Sequence, residues 1–192
     1  DGHLKTHRLF AGYMGIGMII EGVSSQDPLL RMDGSRFFTF QEPAFPGNPV
    51  QARAEITKQD DSGLTVSGDV FRGEGRHTFG RAIRFVLTTP VTEPESVFPI
   101  HPIYEVLAQD AGIALYLIQG GLPKDMSPVY FGVGTSKLTD AVIRAGDLLV
   151  STARRLEIVE QNNGILSAQF EVGIRRGDEV VAEPTKVKFG LL

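Results

Sequence analysis

From Leu9 to Val23 nearly every position is apolar, and Glu21 is the one charge. Such a run reads as a helix buried on most sides. Gly12, Gly15 and Gly17 lower its intrinsic propensity, but they let a sheet or a ligand approach the backbone closely. The segment 24–30, SSQDPLL, reads as a loop broken at Asp27-Pro28. The period then changes to two. In VQARAEIT, residues Val50, Ala52, Ala54 and Ile56 share one face and Gln51, Arg53, Glu55 and Thr57 the other, the pattern of a half-buried strand. LTVSGDVF continues the alternation with Leu64, Val66 and Val70 inward, and RAIRFVL (81–87) and SRFFTF (35–40) complete four strands joined by the turns KQDDSG and RGEG.

Pro90, Pro94 and Pro99 punctuate the next stretch, which reads as a linker. The pattern then repeats. PIYEVLAQDAGIALYLIQ begins with proline at a first helical position and is followed by Gly120-Gly121, a helix stop. Strands are expected at VYFGVGTSKL, LLVSTARRLEIVE, ILSAQFEVGI and VVAEPTKVKFGL, with hairpin turns at EQNNG and RRGDE. Helix-then-strands therefore occurs twice, with Glu21 and Glu105 at corresponding places in the two helices. The expected fold class is α+β, two units each with a helix against an antiparallel sheet. The expected domains are 1–88 and 99–192, joined by a linker at 89–98. Pairing the two sheets edge to edge would remove two exposed edges.

Composition narrows the chemistry. The 192 residues are enough for a real core. Net charge is −4, which gives no ground for a nucleic-acid partner. Cysteine is absent, so disulfides, thiolate nucleophiles and cysteine metal sites are excluded. The four histidines offer no convincing metal-ligand spacing, so neither a metal nor another cofactor is expected. Lys5, His7 and Arg8 before the apolar run imitate a secretion signal, but Glu21 interrupts it, and Leu9–Val23 falls short of the about 20 apolar residues that span a bilayer. A soluble, cytoplasmic protein is expected, with no membrane partner.

Three segments of the second half, EVLAQDAGI, YFGVGTSKLTDAVIRAGDLL and DEVVAEPTKVKFGLL, resemble the hot-dog-fold 3-hydroxyacyl-thioester dehydratases of fatty-acid synthesis. HRLFAGYMGIG (7–17) resembles the histidine segment of the double-hot-dog dehydratase domains of polyketide and polyunsaturated-fatty-acid synthases, with Ala11 where that family has glycine and Ile16 where it has proline. The resemblance implies a double hot dog in one chain. It implies one active site, with His7 from the first half as base and Glu105 from the second as acid. Glu21 would be left in a degenerate second site. The reaction implied is removal of water from a 3-hydroxyacyl thioester carried by acyl carrier protein or coenzyme A, to give the 2-enoyl thioester.

The chemistry of the residues is compatible. A neutral histidine can take an α-proton, and a carboxyl desolvated in an apolar helix favours its protonated form. Backbone N–H groups at Ile16 and Gly17 are candidates for stabilising the thioester oxygen. Gln109, one turn after Glu105, is placed to orient its carboxyl. Phe10, Tyr13, Tyr104 and Phe131 are candidates for the wall of an acyl tunnel. His101 reads as a helix cap or an entrance residue, and His77 as a surface residue of a hairpin. A fold does not fix a reaction: a thioesterase, a pathway-specific cyclase or isomerase, and a non-catalytic acyl-binding module remain as alternatives. Association into a homodimer is left open.

Overall fold

The computed structural model describes residues 12–27, 29–41, 47–88, 102–119, 128–160 and 166–191. Helix α1 (Gly12–Ser24) precedes strands β1 (Leu30–Ser35), β2 (Phe37–Phe40), β3 (Val50–Asp60), β4 (Gly63–Arg72) and β5 (Gly75–Leu87). Helix α2 (Pro102–Gln119) precedes β6 (Pro128–Val133), β7 (Ser136–Lys137), β8 (Val150–Glu160), β9 (Leu166–Arg176) and β10 (Glu179–Leu191). The helix-then-strands repeat and the α+β class match the sequence pattern. The expected linker 89–98, the Gly120-Gly121 stop and the turn at 161–164 lie outside the described residues.

Each helix buries the stripe its spacing dictates. In α1, Ile16, Ile19, Ile20 and Val23 are buried at i, i+3, i+4 and i+7. In α2, Ile103, Tyr104, Leu107, Ala108, Ala111 and Leu115 do the same. Leu64, Val66 and Val70 of β4 and Ala168, Phe170, Val172 and Ile174 of β9 supply the facing sheet surface.

The strands form one sheet in the order β3-β4-β5-β2-β6-β10-β9-β8, with β1 paired to both β5 and β7. The two halves meet along an antiparallel seam. There Phe38 pairs with Val133 and Thr39 with Gly132, while Gly34 pairs with Lys137 and Ser35 with Ser136. Two glycines let the backbones close. A Cβ on Gly34 would lie 2.2 Å from the Ser136 carbonyl oxygen, and one on Gly132 (φ +154°) 2.3 Å from that of Phe38. Side chains stitch the same line. The Ser35 and Ser136 hydroxyls are 3.0 Å apart, and the Tyr104 hydroxyl lies 2.8 Å from Ser136 Oγ. Arg31 reaches the carbonyls of Thr139 and Asp140 in the other half.

Three departures from the sequence reading have physical causes. Leu30–Ser35 is a strand rather than the tail of a loop; Leu30 and Met32 point inward, but Gly34 hides the alternation. VYFGVGTSKL is two strands, β6 and β7, interrupted at Gly134-Thr135. Ala54 and Ile56 of β3 face solvent, because β3 is an edge strand and its far end has no cover.

Burial pushes the Tyr104 phenol up to about 12, the Ser136 and Ser35 hydroxyls opposing this only partly. The folded state therefore favours the protonated phenol. That stability is present below the ordinary value of 10.0 and is lost as pH rises through about 12. Tyr104→Phe is expected to cost about 1–2 kcal/mol at neutral pH by removing the seam hydrogen bond. It is also expected to flatten the alkaline loss of stability. Urea unfolding at neutral pH and between pH 10 and 12 measures both.

Candidate functional site

Glu105 sits in the first turn of α2. The positive end of the helix dipole favours a carboxylate there. It is half-buried rather than sealed among apolar neighbours, and Gln109 Nε2 donates to its Oε1 at 2.9 Å. The one-turn spacing thus puts both groups on one flank of the helix.

The residue before it, Tyr104, is fully buried. Its ring packs edge-on against Phe38, with centroids 5.2 Å apart, and its hydroxyl is taken by Ser136. It belongs to the seam rather than to an open tunnel wall. Phe131 is half-buried on β6. Ile16 and Gly17 are both buried in the second turn of α1. At that depth their N–H groups are spent on carbonyls four residues earlier, so they do not supply free donors. His7, Phe10, His101 and the Tyr13 side chain lie outside the described residues. Glu21 is exposed in the last turn of α1, whereas Glu105 is in the first turn of α2, so the two acids do not occupy corresponding places. His77 is buried at 3% exposure, not a surface residue. It lies with Thr78 beneath α1, where a Cβ on Gly15 would come within 2.8 Å of Thr78 Oγ1.

Three polar groups missed in the sequence stand out because they are buried without a hydrogen-bond partner among the described residues: the Tyr130 hydroxyl, Thr78 Oγ1 and Asp110 Oδ2. Buried polar atoms normally find partners, so each of these calls for an explanation. Two of them are close to the seam. Tyr130 lies between Phe40 (centroids 4.7 Å) and Phe189 (5.3 Å), and Phe40 is the register partner of Thr78. Desolvation raises the Tyr130 phenol well above its ordinary value, and the charges of Tyr104 and Glu105 add to this. The buried phenol keeps its proton and is a hydrogen-bond donor, and the charge of Glu105 is felt at it. Asp110 comes five residues after Glu105, which turns it to another flank of α2. An acid inside AQDAG was visible in the sequence by the argument used for Glu105, whereas nothing local marks Tyr130. Among the described residues no group of three or more acids and histidines is placed to hold a metal ion.

Comparison with known proteins reaches the fold by structure alone. No protein-family model matches the chain. No curated protein matches it by sequence. A tesB protein from Mycobacterium avium subsp. paratuberculosis superposes with TM-score 0.70 at 9% identity, covering 96% of this chain and 88% of that one. An acyl-CoA thioesterase II, TesB2, from Mycobacterium marinum gives 0.60 at 14% identity, covering 95% and 88%. The dehydratase domain from the CurJ module of curacin polyketide synthase gives 0.51 at 12% identity, covering 95% and 82%. The fold is a double hot dog. In this double hot dog the seam is the junction of the two hot dogs, and Glu105, Gln109 and Tyr130 belong to the second. No helix among the described residues is long and apolar enough to cross a membrane.

A partnerless buried hydroxyl is costly, by about 1–3 kcal/mol. Tyr130→Phe is therefore expected to stabilise the fold, by about 1 kcal/mol, with the ring stack retained. A loss of stability in thermal or urea unfolding would show that the hydroxyl is already satisfied.

Proposed function

We propose that this double hot dog is an acyl-thioester hydrolase. The observation that carries the proposal is the Glu105 carboxylate, held as an acceptor by Gln109 and coupled to the protonated, partnerless Tyr130 hydroxyl. An accepting carboxylate suits a base, and hydrolysis needs a base more than it needs a proton donor at that position. The name of the Mycobacterium marinum structure with TM-score 0.60, an acyl-CoA thioesterase II, supports the same reading, while the dehydratase domain of lower similarity shares the fold.

In the proposed step, Glu105 takes a proton from a water as its oxygen attacks the thioester carbonyl carbon. Tyr130 donates to the carbonyl oxygen as negative charge develops there. The carbon–sulfur bond then breaks, the thiolate leaves and takes the proton that Glu105 accepted, and the free acid is released. The substrate is an acyl chain on coenzyme A or on acyl carrier protein. Asp110 is the competing carboxylate. We assign the base to Glu105 because Glu105 is the acid whose charge reaches Tyr130.

Dehydration of a 3-hydroxyacyl thioester is the second reading, favoured by the Glu105–Gln109 pair within the EVLAQ segment. It needs a base from the other half, for which His7 is the candidate. Mass analysis of a panel of saturated and 3-hydroxyacyl thioesters separates the two. Free acid from both classes is expected, with Glu105→Gln slowing release by about 100-fold or more and Asp110→Asn and His7→Ala leaving it largely intact. Loss of one water, abolished by His7→Ala, would establish the dehydratase instead. Loss of hydrolysis in Asp110→Asn but not in Glu105→Gln would move the base to Asp110.

A further inference from the structure

We propose that the hydrolase takes an acyl chain carrying a hydroxyl or keto oxygen several carbons beyond the thioester, and that Thr78 of β5 recognises that oxygen. The inference rests on the reading of Glu105 and Tyr130 as the reacting pair and extends it across β2 into the first half. Thr78 is 0% exposed, and its Oγ1 has no hydrogen-bond partner among the described residues. Burying a hydroxyl in that state is unfavourable. Other buried hydroxyls fare better: Ser35, Ser136 and Tyr104 bond one another, and Thr185 donates to the Glu183 carbonyl. Valine has nearly the same shape and would sit beside Val70 with no polar group to desolvate. The open hydroxyl of Thr78 is therefore a group that a ligand oxygen would complete.

The strand gives Thr78 its direction. Its register partners are Phe40 on β2 and the fully buried Val70 on β4, so its side chain faces the helices. β5 carries one extra residue, His77, between the partners of Val70 and Phe71. This bulge brings the His77 ring to the same side. A Cβ on Gly15 of α1 would lie 2.8 Å from Thr78 Oγ1 and 3.6 Å from His77 Cδ2. Glycine keeps that space clear of a side chain. Toward the second half the Phe40 ring follows, and then the Tyr130 ring at 4.7 Å with its own partnerless hydroxyl. Two open hydroxyls thus flank one phenylalanine. β5 and β6 are both neighbours of β2, so two strand spacings, about 10 Å, separate the backbones of Thr78 and Tyr130. A carbonyl oxygen at Tyr130 and a second oxygen at Thr78 are too far apart to sit on adjacent carbons. A plain hydrocarbon chain would leave Thr78 unpaired, and a site built round a hydroxyl discriminates against the ligand that lacks its partner.

Titration calorimetry of the full chain with acyl-coenzyme A analogues that have a ketone in place of the thioester tests this. The analogues share one chain length and are either saturated or hydroxylated at successive carbons. One hydroxylated analogue is expected to bind about ten-fold more tightly than the saturated one, the scale of a single hydrogen bond. Thr78→Val is expected to erase that preference and leave the affinity of the saturated analogue unchanged. Thr78→Ser keeps the hydroxyl and is expected to keep the preference. A saturated analogue that binds as well as every hydroxylated one overturns the proposal. So does a preference that survives in Thr78→Val, an equal loss for all analogues in that variant, or no binding by any analogue. The analogues are not hydrolysed, so the two readings fail separately. Selective binding with no free acid from any thioester keeps the Thr78 subsite and removes the hydrolase. Free acid from all thioesters without selective binding does the reverse.

Discussion

The antiparallel seam between β2 and β6, and between β1 and β7, is the constraint on which the rest of the molecule depends. Each half alone would present an unpaired inner strand to solvent, a standing invitation to aggregate. Joined, the described strands form one sheet with β3 and β8 at the ends of its path. Close approach is possible because Gly34 and Gly132 have no Cβ to place against the partner carbonyl. Ser35, Ser136 and Tyr104 then satisfy one another in the buried interior. A fully satisfied buried polar network fixes register in a way that apolar contacts alone do not.

The seam also organises the candidate chemistry. Tyr104 anchors the first turn of α2 to it, and that anchoring sets the position of Glu105 one residue later. Tyr130 stands on β6, the strand that forms the seam, and its ring touches Phe40 of the first half. The proposed base on a helix and the proposed donor on a strand are thereby held by rigid elements. Thr78, across from Phe40, carries the polar surface into the first half. The Tyr130 hydroxyl and Thr78 Oγ1 have no hydrogen-bond partner among the described residues, and a bound carbonyl or water would satisfy them.

Much of this was legible in the chain. The apolar stripes of α1 and α2 and the alternation in β4 and β9 follow from period and punctuation, and the residues they point inward are the core. The Glu105–Gln109 pair follows from helical spacing alone. What was not legible depends on distant partners. Gly34 breaks an alternation locally because its role is to meet Ser136, a contact 102 residues away in sequence. Tyr104 reads as a tunnel aromatic until Ser136 and Phe38 are seen to occupy it. His77 reads as a hairpin surface residue until α1 is laid over it. Tyr130 carries no local signal at all, since its significance lies in lacking a partner. Ile16 and Gly17 looked available only while the start of the helix was unknown.

In the proposed hydrolase, Glu105 and Tyr130 together receive the reacting end of an acyl thioester. Crystallography of the protein bound to an acyl-coenzyme A analogue with a ketone in place of the thioester is the most direct measurement. The ketone oxygen is expected within hydrogen-bond distance of the Tyr130 hydroxyl, with Glu105 on the other side of the carbonyl carbon. An analogue bound with its carbonyl away from both residues, or at Asp110 with Tyr130 still covered, would contradict it.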